Sequence, residues 1–370
     1  SKRMSIIKEE LLEIKEKYGE ERRTEIIEDF TSLSIEDMIA EEEMVLTITH
    51  NGYIKRTSLS TYRSQRRGGR GVQGASSREE DFVEHLFVAN THSYILFFTD
   101  KGKCYWVKVY DIPEGGRAAK GRAIVNLIGC EPDEKVSAFI SVKEFNEDHY
   151  VVMATEKGMV KKTKLSAYSN PRKKGIYAVE IRDGDKLIEA RVSTGDNDIL
   201  LGTRNGKSIR FSEEQIRASG RKTMGVKGIT LSSEDDRLVG MLLIKREGTV
   251  LVATEKGFGK RTEISQYRAQ KRGGKGVLTM KTTDKVGKMV TIKEVVDKDD
   301  LMIITNQGVL IRLPVAQIRS IGRATQGVKL IKLGEGTLVS SITRIMSEEE
   351  EDENNNTCLL YTSPSPRDGW

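Results

Sequence analysis

The sequence predicts an all-β fold of six propeller-like blades behind a short N-terminal helical segment, and three observations carry that prediction. A Thr-x-x-Gly pattern recurs six times, at Thr49–Gly52, Thr99–Gly102, Thr155–Gly158, Thr203–Gly206, Thr254–Gly257 and Thr305–Gly308, with glycine spacings of 50, 56, 48, 51 and 51 residues. A β-branched or alternating apolar run precedes each copy, as in Met44–Ile48 and Leu301–Ile304, and a short apolar or basic run follows, as in Tyr53–Arg56 and Val309–Arg312. Strand, glycine turn, strand is the hairpin signature. A second glycine follows each hairpin, at Gly71, Gly121, Gly175, Gly225, Gly276 and Gly327, offset from the first by 19, 19, 17, 19, 19 and 19 residues. A period near 50 made of short strands fits propeller blades better than helical solenoids. A single blade cannot bury its apolar face, so neighbours must share a core around an axis.

Residues 1–30 read as the end of a coiled-coil helix. Met4, Ile7, Leu11, Ile14 and Tyr18 alternate by three and four, the spacing of a seam, and Gly19 loosens or ends the helix. Residues 31–43 read as an acidic linker, and residues 44–346 hold the six repeats. Residues 347–370 open on the acidic run Glu348–Glu353. Their last stretch, Thr357–Trp370, fits neither the repeat nor an acidic tail and reads as a scar outside the fold.

The net charge of +6 over 370 residues conceals an asymmetry. Residues 1–43 carry 7 Lys/Arg against 14 Asp/Glu, and residues 347–370 carry 1 against 7. That leaves 53 against 34 in residues 44–346, a net +19. A basic middle of that size points to a polyanionic partner. No run of 18 apolar residues and no signal-peptide pattern is present, which argues against a membrane span and for the cytoplasm. Cys104, Cys130 and Cys358 lie far apart and the four histidines are scattered, so neither a metal knuckle nor a disulfide framework is expected.

The loop before each second glycine carries the candidate chemistry. Gln65, Arg66, Arg67, Gly68, Gly69, Arg70 and Gly71 set three arginines among three glycines after a strand. Glycines let the backbone turn sharply and approach another surface, while guanidinium forks match phosphate oxygens. A near copy follows in repeat five, where Lys271, Arg272 and Lys275 stand in Gln270–Gly276. The other repeats place Arg117, Lys120 and Arg122, then Arg172, Lys173 and Lys174, then Arg221, Lys222 and Lys227, and finally Arg323 and Lys329 at the same point. One such loop is an ordinary solvated turn; six at an equivalent position line one edge of a disc.

Two other motifs fail on context. Gly69–Gly74 matches G-x-G-x-x-G but opens no amphipathic helix. Gly202–Ser208 is one residue short of a Walker loop and is only repeat four's copy of the hairpin. No nucleophile–base pair or carboxylate dyad stands out, so no catalysis is expected within the chain.

Gln65–Gly71 resembles the signature box of the DNA gyrase A family, with Arg70 where Lys is common. Gly52–Thr57 and Tyr62–Arg67 resemble the first blade of that family's C-terminal domain, and Tyr105–Tyr110 with Ala119–Val125 resemble its second. The likeness extends over roughly residues 1–346, and Glu10–Lys15 to Arg22–Ile26 resemble the end of the coiled coil of the family's cleavage core. The resemblance implies a β-pinwheel, a propeller relative whose blades exchange strands. It also implies a role in wrapping double-stranded DNA around the perimeter, which biases a type II topoisomerase toward negative supercoiling. The implied partners are the gyrase A cleavage core in the same polypeptide and the gyrase B protein of an A2B2 assembly in a bacterial, nucleoid-associated setting. ATP and Mg2+ would serve that holoenzyme, with no cofactor in this chain. Two alternatives stay open: the C-terminal domain of the A protein of topoisomerase IV, which lacks the intact box, and a propeller that scaffolds proteins, which need not set cations at one matching loop.

Overall fold

The structure, a computed structural model, describes residues 2–20, 36–49, 51–58, 83–116, 119–131, 133–244, 248–306, 310–334 and 336–345. The chain forms two compact units, Ser1–Ala40 and Glu41–Trp370. In the first, a helix spans Lys2–Tyr18, with Met4, Ile7, Leu11, Ile14 and Tyr18 all exposed. The Gly19 amide closes the last turn on the Lys15 carbonyl at 2.8 Å, and a Cβ at Gly19 would fall 2.2 Å from that oxygen.

The second unit is built from antiparallel hairpins such as Glu43–Thr49 with Tyr53–Ser58 and Tyr150–Thr155 with Met159–Lys164. The recurring threonine has a local purpose. In the first three repeats its carbonyl accepts the hairpin glycine's amide at 2.9 Å, and its hydroxyl accepts the amide of the next residue at 3.1–3.2 Å. A third strand then pairs with the hairpin's first strand, as Leu187–Ser193 pairs with Tyr150–Thr155. The first strand is therefore central in its sheet, and neighbouring blades cover both its faces. That is why Ile95–Phe98, Val151–Ala154 and Val250–Ala253 read as unbroken apolar runs rather than alternating ones.

The fourth strand of each blade comes from the following repeat. Arg122–Ala123 joins the first blade, Ile176–Tyr177 the second, Val226–Lys227 the third, Val277–Leu278 the fourth and Val328–Lys329 the fifth. Among the described residues, the sixth repeat forms a three-stranded sheet from Asp300–Thr305, Leu310–Pro314 and Val339–Ile345. Among the described residues five blades have four strands, so the six blades expected from the sequence are corrected to five. Counting repeats counts hairpins, whereas completing a blade needs a strand from one repeat further on.

Apolar packing follows the same plan, as layers between consecutive repeats. Leu96 and Phe98 pack with Val151 and Met153, and Leu251 and Ala253 pack with Leu301 and Ile303. Each buried Leu or Ile contributes roughly 1.5–3 kcal/mol, so the layers bind the repeats in series.

A second set of ties crosses each layer. The fourth residue after the hairpin glycine is a long donor that reaches the 3-10 turn of the next repeat. Arg56 Nε donates to the Ile112 carbonyl at 2.7 Å, Trp106 Nε1 to that of Tyr168 at 2.9 Å, and Arg261 Nε to that of Ile318 at 2.7 Å. Lys162 reaches the buried Glu213 carboxylate at 3.1 Å. In the sixth repeat Arg312 turns to Asp300 of its own hairpin, 2.5 Å away. The basic character of Tyr53–Arg56 and Val309–Arg312 thus serves packing as well as charge.

The second glycine anchor is steric. Gly225 and Gly276 adopt φ of +81° and +69°, and a Cβ would sit 2.4 Å from the Val160 carbonyl oxygen and 2.3 Å from that of Ser208. The donated strand therefore enters the preceding blade only at a residue without a side chain. Gly276→Ala is expected to cost about 2–4 kcal/mol, from left-handed backbone strain plus displacement of the strand. A urea titration of the variant checks this, and an unchanged midpoint would refute the steric explanation.

Candidate nucleic-acid interface

The third strands of successive repeats pack beside one another, and the donated strands lie on the opposite edge of each sheet, so the loops before the second glycines share that outer edge. Backbone hydrogen bonds link one loop to the next. The Glu180 amide donates to the Thr223 carbonyl at 3.1 Å, that of Thr230 to Gly274 at 2.9 Å and that of Lys281 to Thr325 at 3.0 Å.

Among the predicted residues, Gln65, Arg66, Arg67, Gly68, Gly69, Arg70, Gly71 and Arg117 lie outside the described residues. The remaining cations divide into two groups. Lys120, Arg122, Arg172, Lys173, Lys174, Lys222, Lys227, Lys271, Lys275 and Lys329 are exposed. Arg221, Arg272 and Arg323, which hold the recurring arginine position, are half-buried. Arg272 Nε donates to the Gln215 carbonyl at 2.9 Å and its Nη1 to that of Lys227 at 3.2 Å. Arg323 Nη1 donates to the Leu278 carbonyl at 3.3 Å, and its guanidinium lies 5.9 Å from the Tyr267 ring. Both arginines therefore tie one loop to the preceding donated strand, with further guanidinium N–H groups left over.

Several cations outside these loops are matched by acids, as in Arg204–Glu255 at 3.5 Å, Arg237–Glu156 at 3.2 Å and Lys103–Glu134 at 2.5 Å. Among the described residues, none of these ten exposed cations, seven in the loops and three on the donated strands, takes part in an ion pair. Lys120 stacks over the Tyr53 ring at 4.0 Å and Lys329 lies 5.8 Å from that of Phe258, both cation–π contacts. Exposed positive charge without an ion pair thus recurs in and beside the loops of successive repeats.

The sequence reading missed three members of this edge. Arg217, Arg268 and Arg319 are exposed, each four residues before the recurring arginine, and Arg63 stands at the same offset in repeat one. Aligning the six loops one turn further upstream reveals them.

Fold and loops define a class first: a β-propeller whose blades take their outermost strand from the next repeat and whose outer loops bear unpaired cations. A family model described as DNA gyrase C-terminal domain, beta-propeller, matches residues 43–90, 93–143, 149–194, 197–245, 248–295 and 299–345, and the chain belongs to that family. It is 47% identical over 350 residues to the DNA gyrase A protein of Staphylococcus epidermidis, covering 94% of this chain and 39% of the relative. It is also 47% identical over 349 residues to the DNA gyrase A protein of Staphylococcus aureus, covering 93% and 39%. The chain therefore spans about two fifths of the length of these curated relatives.

Among solved structures, the C-terminal domain of DNA topoisomerase IV superposes with a TM-score of 0.74 at 26% identity, over 87% of this chain and 100% of that one. The DNA gyrase A C-terminal domain superposes with a TM-score of 0.66 at 24% identity, over 82% and 100%, a likeness of fold alone. Backbone similarity does not separate gyrase from topoisomerase IV; sequence identity to the gyrase A proteins does.

Proposed function

We propose that this chain binds duplex DNA along its outer loops and wraps it without strong sequence specificity, as the C-terminal domain of a gyrase A protein. The observation that carries the proposal is the set of ten exposed cations without an ion pair among the described residues, seven in linked loops and three on the donated strands that follow them. Contacts of this kind neutralise phosphates and position a duplex; they do not read bases. Bending 20–30 base pairs by 40–90° costs roughly 1–6 kcal/mol, and a half-turn on the order of 10. One loop cannot offset that cost. About ten neutralised phosphates can, through counterion release.

Wrapping would then present a DNA segment to a cleavage core in the same polypeptide and give a type II topoisomerase its preference for negative supercoils. Cleavage and ATP hydrolysis with Mg2+ would belong to that core and to gyrase B, in an A2B2 assembly in the bacterial cytoplasm and on its nucleoid. No described helix is long and apolar enough to cross a membrane.

Gel shifts on linear duplexes of increasing length test the proposal. Affinity should climb over several helical turns of DNA, and log K should fall with log salt at a slope approaching about −9 for ten phosphates at 0.9 each. Tight binding that is indifferent to length would exclude wrapping. Absence of binding would favour a protein scaffold instead.

A further inference from the structure

The third residue after the hairpin glycine alternates along the chain. It is Lys55, Lys161 and Lys260 in repeats one, three and five, and Tyr105, Ile209 and Ile311 in repeats two, four and six. The three lysines are buried, with 3%, 1% and 0% of their surface exposed. A buried ammonium must be surrounded by acceptors, and here each lysine has at least one acceptor in the cationic loop of the next repeat. Lys55 Nζ donates to the Gly116 carbonyl at 3.0 Å. Lys161 Nζ donates to the Ala178 carbonyl at 2.7 Å and to that of Arg221. Lys260 Nζ donates to the Gly322 carbonyl at 2.7 Å, to Thr325 Oγ1 at 3.0 Å and to the Arg323 carbonyl.

The loops alternate in step. Those of repeats two, four and six carry Gly-Arg at the recurring arginine, as Gly116-Arg117, Gly220-Arg221 and Gly322-Arg323. The loops of repeats one, three and five carry Gln65, Asn170 and Gln270 five or six residues before their second glycine. A Cβ on Gly175 in repeat three's loop would meet the Tyr105 ring, and one on Gly274 in repeat five's loop would lie 3.4 Å from the Ile209 side chain. Among the described loops, those of repeats two to six thus alternate between one bonded to a buried ammonium and one beside a tyrosine or isoleucine side chain.

On the DNA-wrapping reading, we propose that Lys55, Lys161 and Lys260 are positioning residues of the DNA track: their ammonium groups hold three alternate loops in the DNA-binding arrangement and release them on losing the proton. A charge-assisted bond to a carbonyl is about twice as strong as a neutral one, so the hold weakens when the amine is neutral.

The surroundings of these lysines put the switch in reach of ordinary buffers. Burial, reinforced by Arg221, lowers Lys161 from 10.5 to about 8 against the opposing pull of Glu180. Burial and Arg323 lower Lys260 to about 8, while Lys55 is lowered by burial alone. Burial raises Cys104 and Tyr168, which lie near Arg221, and Tyr267 beside Arg323 is pushed up to about 12, so these groups stay uncharged through this range. The ordinary lysine value is about 10.4. Between about 8 and 10.5 the unfolded chain holds protons that the folded chain has lost. Raising the pH through this window therefore stabilises the fold at these positions while loosening the loops. Weaker DNA binding by a more stable protein is the signature, and a purely structural lysine would not produce it.

The test measures affinity of the whole chain for a long linear duplex at about pH 7 and pH 9, at constant ionic strength, together with the thermal midpoint. Native protein should bind roughly three- to tenfold more weakly at the higher pH, the worth of about one hydrogen bond. The double variant Lys161→Met/Lys260→Met should bind at pH 7 as native protein does at pH 9, with little further change. The variant Lys161→Arg/Lys260→Arg, which cannot lose its charge, should keep its pH 7 affinity throughout. A flat profile for native protein that binds DNA well, or an undiminished pH step in the Met variant, overturns the positioning role and leaves wrapping intact. Failure to bind DNA at either pH removes the wrapping reading itself.

Discussion

Glu213→Ala is expected to destabilise the propeller by about 3–5 kcal/mol, the cost of stranding a buried charge. Glu213 is fully buried at the start of a 3-10 turn, and its carboxylate has a partner on every side. Oε1 accepts from Lys162 Nζ at 3.1 Å and from Ser193 Oγ at 2.9 Å, and Oε2 accepts the Asn197 amide at 3.2 Å. Lys162 lies on the second hairpin strand of repeat three and Ser193 on its third strand, so one carboxylate closes repeat three onto repeat four. Truncation leaves the Lys162 ammonium with only the Tyr150 ring, 4.6 Å away, and distant carbonyls. Hydrogen exchange should show protection lost first in repeats three and four, because each repeat packs mainly on its neighbours. The double variant Lys162→Met/Glu213→Leu should recover most of the loss, since apolar replacement of a buried pair is often neutral. Removing the exposed Lys101–Asp133 pair should leave the denaturation midpoint where it is. An equal effect at both sites would mean that burial does not govern these pairs.

How much was legible in the sequence follows from the range of the forces involved. The two glycines are fixed by sterics within a turn or against one neighbouring carbonyl, and Gly276 has no alternative to a missing side chain, so the pattern stands out at constant spacing. The apolar runs were readable because the first strand of each hairpin is covered on both faces. Strand donation was not visible in the residues themselves. Val226–Lys227 has no local mark that its partner is Val160 and Met159, some 65 residues earlier, and the blade count went wrong for that reason.

Charge was the least legible feature. Lys161, Lys174 and Arg210 are equally basic letters in the same repeats. One is a buried anchor, one is exposed, and one is locked to Asp198 at 2.6 Å. Only the direction of each side chain separates these fates, and on a strand a one-residue offset reverses that direction. The alternation of lysine with Tyr105 and Ile209 was present in the sequence, but with a period of two repeats, twice the one that the glycines advertise.

Neutralising a single loop should show whether the exposed cations act together. Arg172→Gln/Lys173→Gln/Lys174→Gln changes three exposed side chains that make no ion pair among the described residues, so the fold should be unaffected. At about 0.9 per phosphate the log–log salt slope should become shallower by about 2.7, and affinity at low salt should fall by one to two orders of magnitude. Replacing Arg66, Arg67 and Arg70 with Ala should remove a comparable share of the slope. Arg272→Gln supplies the contrast. It removes one charge but also two hydrogen bonds to the Gln215 and Lys227 carbonyls, so it should lower thermal stability as well as affinity while changing the slope by less than one. The slope counts phosphates and the melting midpoint counts ties, so the two measurements separate loop cations that meet DNA from those that hold the loops. Should the triple Gln variant bind with an unchanged slope, the duplex does not follow this edge, however well the loops are linked.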